Sequence, residues 1–291
     1  MSARASRPRA RARPGAPMSL AAVDATTLRV EQDRRRPTAR RLLAGLLEMS
    51  YVDLADPTHL EFEYMRRIGD LIDLAWPSGQ PLAAVHLGGA ACTLARYLSA
   101  TRPRSRSEVY EHDERVLAIA EAELGLRPSR ALRVRVGDAR ELLGRRASGS
   151  ADLVIGDAFN GVDVPAHLLT VELARDVRRV LGPTGVYALN VIDAAPLTVA
   201  RRQIATLLEV FGELVVLGPP KLLHGRASGN IVLVSADRPL PGAALAARAA
   251  RAPRPEELLD RDALEVFAAN ARPLRDAELT GGGAAPPARR R

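Results

Sequence analysis

Four short stretches place polar groups where a ligand could be held: Gly88-Gly89, Glu111, Asp138-Ala139 and Asp157. Each closes an apolar run of strand type, namely A-A-V-H-L-G-G, S-E-V-Y-E, R-V-R-V-G-D-A and A-D-L-V-I-G-D. A glycine pair lets the backbone take unusual dihedrals and lets a ligand come close to the main chain, and a helix start just beyond it offers free N–H groups. Glu111 follows Gly88 by 23 residues, a spacing at which an acid ending the next strand can accept bidentate hydrogen bonds from two ribose hydroxyls. Asp138 can accept from the exocyclic amine of adenine while the N–H of Ala139 donates to the ring, and it can equally cap a short helix. Asp157 ends the fourth run, next to where the reacting part of such a ligand would lie, and a carboxylate there has to be paired or solvated.

Other chemistry-bearing residues point to structure. Asp113 reads as the N-cap of a helix, His86 as a packed residue inside a strand, and Cys92 as a small buried side chain. The five histidines show no close pair at metal-ligand spacing, and one cysteine excludes both a disulfide framework and a Cys-based zinc site. No metal is expected, and no nucleophile elbow G-x-S-x-G occurs.

The elements that must position these residues alternate. Strands are expected over 82–87, 108–111, 133–136, 152–156, 186–191, 213–217 and 230–235. Helices are expected over 93–100, 114–124, 165–181 and 196–211, with a short one over 139–143. The loop between the last two strands is about a dozen residues, too short for a crossover helix, so those strands should pair antiparallel. The expected fold is therefore α/β, a Rossmann-like, mostly parallel seven-stranded sheet of the class I methyltransferase type. Two alternating stretches between Thr27 and Val52 form a small β layer before it. A helix starting near Pro57, with Leu60, Tyr64, Ile68 and Leu71 on one face, links the two. The expected organisation is a disordered Arg-rich tail over 1–20, a β-hairpin layer over 21–56, a nucleoside-binding domain over 57–240, and an extension over 241–291 with one helix at 255–269.

The formal charge of +8 is local. Residues 1–41 hold eleven arginines against three acids, so the rest of the chain is neutral. The balance argues against a nucleic-acid-binding body. No apolar run nears the roughly 20 residues of a membrane span, and the expectation is a cytoplasmic protein without a membrane partner.

Taken in order, these motifs resemble the spermidine synthase family of aminopropyltransferases, over about residues 27–236. E-F-E-Y64-M-R-R-I-G-D is similar to the family's acid-aromatic-x-Tyr helix, V-H-L-G-G to its glycine loop, E-H-D to its Glu-x-Asp and G-D-A to its Gly-Asp-Ala. D157-A-F-N-G-V-D-V-P-A-H-L-L resembles its active-site loop D-x-x-D-P-x-G-P-A-x-x-L, and S228-G-N its entry to the last strand. The resemblance implies a site for S-adenosylmethionine, its decarboxylated form or methylthioadenosine, with Glu111 on the ribose and Asp138 on the adenine. It also implies an amine acceptor and leaves a homodimer open. In the family's reaction an amine nitrogen attacks the carbon beside a sulfonium, and the second Asp of the loop takes the proton. Here Asn160 stands at that position, and an amide is no base near neutral pH. Ala91 stands where the family has an Asp for the aminopropyl ammonium, Met49 where a Gln is usual, and Arg226 near the place of a second Tyr. The candidate catalytic set is accordingly Asp157, Asn160, Asp163 and Tyr64. Three functions fit: an aminopropyltransferase with rearranged acids, an S-adenosylmethionine-dependent methyltransferase, and a non-catalytic nucleoside-binding protein.

Overall fold

The protein is described by a computed structural model over residues 27–280, so the Arg-rich segment 1–20 and the glycine-rich end lie outside the described residues. In chain order the strands are β1 (Leu28–Gln32), β2 (Ala39–Ala44), β3 (Leu47–Asp53), β4 (Ala83–Leu87), β5 (Arg106–Glu111), β6 (Leu132–Val136), β7 (Ala151–Gly156), β8 (Leu181–Ala194), β9 (Glu213–Gly218), β10 (Ser228–Ala236) and β11 (Glu257–Leu259). The helices are α1 (Glu63–Ala75), α2 (Thr93–Thr101), α3 (Glu114–Glu123), α4 (Ala139–Gly144), α5 (Val171–Val180), α6 (Thr198–Val210), α7 (Pro220–Leu223), α8 (Gly242–Ala250), α9 (Arg261–Phe267) and α10 (Asp276–Thr280).

All seven expected strands form, in the order β9-β10-β8-β7-β4-β5-β6, and β11 adds an eighth at the β9 edge. Strands β6, β5, β4, β7 and β8 run parallel, while β10 is antiparallel to both β8 and β9. The order reverses at β4, whose neighbours are β5 and β7. A ligand crevice belongs at the carboxyl ends beside that switch. Helices cover both faces, so central strands read as continuous apolar runs: Ile231, Val232, Leu233 and Val234 are all fully buried. One face packs Val85, Leu87 and Val154 against α5 and α6, and the other packs Ala84 and Val186 against Ile68 and Leu71 of α1.

The N-terminal layer is a three-stranded antiparallel sheet because Gly45, at φ +58°, turns the second alternating stretch back on itself between β2 and β3. Leu42 and Val52 of this sheet pack with Ala95 of α2 and Val116 of α3. Thr93, at the start of α2, donates through Oγ1 to Tyr51 O at 2.9 Å, pinning the layer to the glycine turn.

Several boundaries differ from expectation for local reasons. Asp56 folds back to accept from the backbone N–H (3.1 Å) and hydroxyl (2.6 Å) of Thr58, and this Asx turn delays α1 to Glu63. The helix expected over 165–181 is split: a 3-10 turn over Ala166–Leu168 precedes α5, whose start is capped by Thr170 Oγ1 accepting from Leu173 N at 3.2 Å. Pro183 disfavours helical geometry just before it, and Leu181 already pairs with Ala151 as the start of β8. The helix expected over 255–269 yields its first residues to β11 and forms only as α9.

Candidate active site

The turn after β4 is built on a close approach. Gly88 has φ +80°, and a Cβ there would sit 2.5 Å from Asp157 O and 2.6 Å from Ala158 Cα. Only glycine lets β4 and β7 exit side by side in this way. Gly88 N donates to Tyr110 O at 2.8 Å and Asp157 N to Leu87 O at 2.9 Å, so the two exits are tied across β4. Ala90 and Cys92 also carry positive φ, 41° and 60°. Backbone strain of this kind is held by its surroundings and clusters at functional turns.

Glu111, at the end of β5, is buried and bonded to the main chain. Its Oε1 accepts from His112 N at 2.9 Å and Asp113 N at 3.1 Å, and its Oε2 accepts from Ala90 N at 3.3 Å. A carboxylate oxygen has about two acceptor sites, so Oε1 is filled and Oε2 keeps one. The expected bidentate grip on two hydroxyls is thus reduced to the free position on Oε2.

Asp138 caps α4. Its Oδ1 accepts from Arg140 N at 2.9 Å and Glu141 N at 3.0 Å, while Oδ2 lies 2.8 Å from His167 Nε2. Burial acts to raise its pKa, but the hydrogen bond from Glu141 and the His167 ring together hold the carboxyl below the ordinary range. Ala139 is the first residue of α4 and is buried. Asp113 caps α3 by accepting from Arg115 N at 2.9 Å, as expected.

At the end of β7 the side chains converge on Asp157. Tyr64 of α1 donates its hydroxyl to Oδ2 at 3.0 Å, and Asn190 of β8 donates Nδ2–H to Oδ1 at 2.9 Å. Burial pushes the Asp157 carboxyl up to about 6; the bonds from Asn190 and Tyr64 oppose the rise and the charge of Glu111 adds to it. Burial likewise drives the Tyr64 phenol well above its usual value. Tyr64 is therefore a neutral donor near pH 7, and Asp157 changes charge close to it.

The other two candidate catalytic residues lie in the loop that follows Asp157. Asn160 and Asp163 close a tight turn through their main chains, Asn160 N donating to Asp163 O at 2.8 Å, with Gly161 at φ +66°. Asn160 is exposed at that turn. Ala91 is fully buried against the N-terminal layer, Met49 is packed into the same cluster, and Arg226 is exposed on the loop before β10. His86 is buried with Nε2 3.3 Å from Ser107 Oγ, and burial lowers its pKa to about 4.

Two residues of the edge carry little local signal in the sequence. Asn190 is a lone amide in the apolar run V-Y-A-L-N-V-I, and one polar side chain in a strand buried on both faces is the signal that could have found it. His167 was hidden by the expectation of a continuous helix. A groove of about 970 Å³ between α1 and α8 is lined by none of these site residues. Among the described residues no cluster of His, Cys, Asp and Glu could hold a metal, and no helix is long and apolar enough to cross a membrane.

A doubly wound sheet with this strand order, and with acids at successive carboxyl ends, defines a class I methyltransferase-like fold. Human methyltransferase-like protein 13, solved in complex with SAH, shares that fold, with a TM-score of 0.51 at 21% identity over 74% of this chain and 96% of that one. No family model matches the chain. A probable spermidine synthase from Corynebacterium glutamicum superposes with a TM-score of 0.80 at 29% identity, covering 86% of this chain and 92% of that one. The polyamine aminopropyltransferase of Vibrio vulnificus is 32% identical over 167 residues, 57% of this chain and 53% of that protein. The chain spans about half the length of the curated relatives it matches. With the ordered motifs and the small β layer, these likenesses support membership of the spermidine synthase family.

Proposed function

We propose that the protein binds S-adenosylmethionine, its decarboxylated form or methylthioadenosine along the carboxyl edge, and transfers an aminopropyl group to an amine with Asp157 as proton acceptor. The observation that carries this reading is the convergence of Tyr64 and Asn190 on Asp157 at the switch in strand order, while Asn160 lies exposed on a turn. Glu111 Oε2 would take a ribose hydroxyl and Asp138 the adenine amine.

The step balances with these groups. The acceptor ammonium gives one N–H proton to the Asp157 carboxylate, and the freed lone pair attacks the methylene beside the sulfonium. The C–N bond forms as the C–S bond breaks, and the C–S electron pair leaves the sulfur a neutral thioether. An alkylammonium has a pKa of about 10.4. A carboxyl at about 6 in place of the ordinary 3.8 makes that transfer about 3 kcal/mol less uphill. Tyr64 and Asn190 hold the carboxylate in place as the proton arrives.

A methyltransferase is the second reading. Asn160 in place of a carboxylate removes from the loop after Asp157 an anion that would repel the amino-acid carboxylate of intact S-adenosylmethionine. Calorimetry with the three nucleosides, followed by putrescine turnover with decarboxylated S-adenosylmethionine, tests both. Turnover of putrescine that falls at least 100-fold in Asp157→Asn supports the first reading. Binding of intact S-adenosylmethionine alone supports the second, and silence with all three nucleosides refutes both.

A further inference from the structure

We infer that His167 is a positioning residue for nucleobase recognition: by occupying one side of Asp138 Oδ2, it leaves that carboxylate one acceptor site, set for a purine amine. The inference rests on the reading that Asp138 faces the adenine. Asp138 Oδ1 is saturated by Arg140 N and Glu141 N, and Oδ2 takes His167 Nε2 at 2.8 Å. With about four acceptor positions on a carboxylate, one remains. A base with an exocyclic amine can donate there. A base with a carbonyl at the same position, such as hypoxanthine, meets a lone pair instead.

His167 performs this as a side chain only. Its segment is anchored separately, because Arg140 Nη1 donates to His167 O at 3.2 Å and pairs with Asp276. The rings and carboxylate concerned are about two-fifths exposed, 41% for His167 and 40% for Asp138, so a ligand can reach them and their substitution spares the core. Val136, 49% exposed at the end of β6, supplies apolar surface two residues before Asp138. The active-site loop thereby carries its own reader of the base: the segment that leaves Asp157 returns to β6 through His167.

The test is calorimetry of the full chain with methylthioadenosine and with methylthioinosine, for the wild type, His167→Leu, His167→Gln and Asp138→Ala. His167→Leu should weaken methylthioadenosine about 10-fold, the size of one lost charge-assisted bond, with methylthioinosine changed by less than about 2-fold. His167→Gln, whose amide N–H can replace Nε2–H, should restore most of the loss. Unchanged methylthioadenosine binding in His167→Leu, or equal losses for both nucleosides, overturns the role of His167. Undiminished methylthioadenosine binding in Asp138→Ala, or no binding by the wild type, instead overturns the reading beneath it.

Discussion

Tyr64 and Asp157 lie 93 residues apart in sequence and share a hydrogen bond of 3.0 Å, from the phenol of α1 to the carboxylate that ends β7. The bond crosses from a helix on one face of the sheet to the switch point of the strand order. It makes the environment of Asp157 a property of tertiary packing, since neither residue's own segment supplies a hydrogen-bond partner. Removing the phenol in Tyr64→Phe should leave the fold intact, because the ring keeps its apolar contacts. The Asp157 pKa should rise further, since one of the two bonds holding the charged form is lost. Turnover should fall about 10- to 100-fold, with its pH midpoint displaced upward. A pH–rate profile of the variant checks both.

The pH dependence of the wild type follows from the same carboxyl. Activity that needs the Asp157 carboxylate should rise through pH about 6. Stability should move the other way. The folded carboxyl binds its proton more tightly than the ordinary value of 3.8, so its contribution is present below about pH 4 and lost as pH rises through about 6. Asp157→Asn removes that titration. Denaturant unfolding from pH 4 to 7 should therefore show the wild type losing up to about 3 kcal/mol relative to the variant across this window. A difference that stays constant over the window would contradict the shifted carboxyl.

Much of this site was legible beforehand because it is written in strand ends. An apolar run followed by glycine or an acid is a local pattern, and Gly88, Glu111, Asp138 and Asp157 all fall at the carboxyl edge as read. The cap on α4 was legible for the same reason. What stayed hidden depends on long-range geometry. Asn160 and Asp163 shared a loop with Asp157 on paper, yet N-G-V-D folds into a turn that carries Asn160 out to solvent. Asn190 gained meaning only when β8 was laid beside β7. Strand β11 was invisible because three residues cannot declare a period of two inside a helix-like pattern.

Gly88→Ala tests the close approach of the two strand exits. The new methyl would have to occupy space 2.5 to 2.8 Å from the backbone of Asp157 and Ala158, at a φ of +80° that L residues avoid. Neither neighbour is a flexible side chain, so the main chain must move. The cost should be about 2–4 kcal/mol in chemical denaturation, with nucleoside binding lost in the fraction that remains folded. Gly79→Ala is the control: it shares a positive φ of +73° but has no atom within 4 Å, and it should show only the conformational part.

Glu111→Ala should abolish nucleoside binding by calorimetry while the protein still melts cooperatively. Its effect should exceed that of one lost ligand bond, because the carboxylate also gathers the N–H groups of Ala90, His112 and Asp113. Removing it leaves these donors without their acceptor and loosens the glycine turn. A variant that melts like the wild type and still binds methylthioadenosine would show that the end of β5 is structural only.

Arg67 and Glu256 carry the last prediction. Their side chains are 3% and 6% exposed and meet in two bonds, Nε to Oε2 at 2.6 Å and Nη2 to Oε1 at 2.8 Å. The remaining arm, Nη1, donates to Asn230 O at 2.9 Å, so α1, β10 and the segment before β11 are joined at one guanidinium. Breaking such a pair from one side leaves the buried guanidinium with only Glu63, at 3.9 Å, as a counter-charge, and Glu256→Ala should cost about 3 kcal/mol in urea unfolding. Replacing both partners by Arg67→Met with Glu256→Leu should recover most of that stability, since burying two ions offsets much of their attraction. Function should separate the two variants differently. Arg67 sits one helical turn after Tyr64, so a loosened α1 moves the phenol away from Asp157. Glu256→Ala should therefore lower kcat beyond its effect on nucleoside affinity, whereas the double replacement should restore both together if α1 is again held in place.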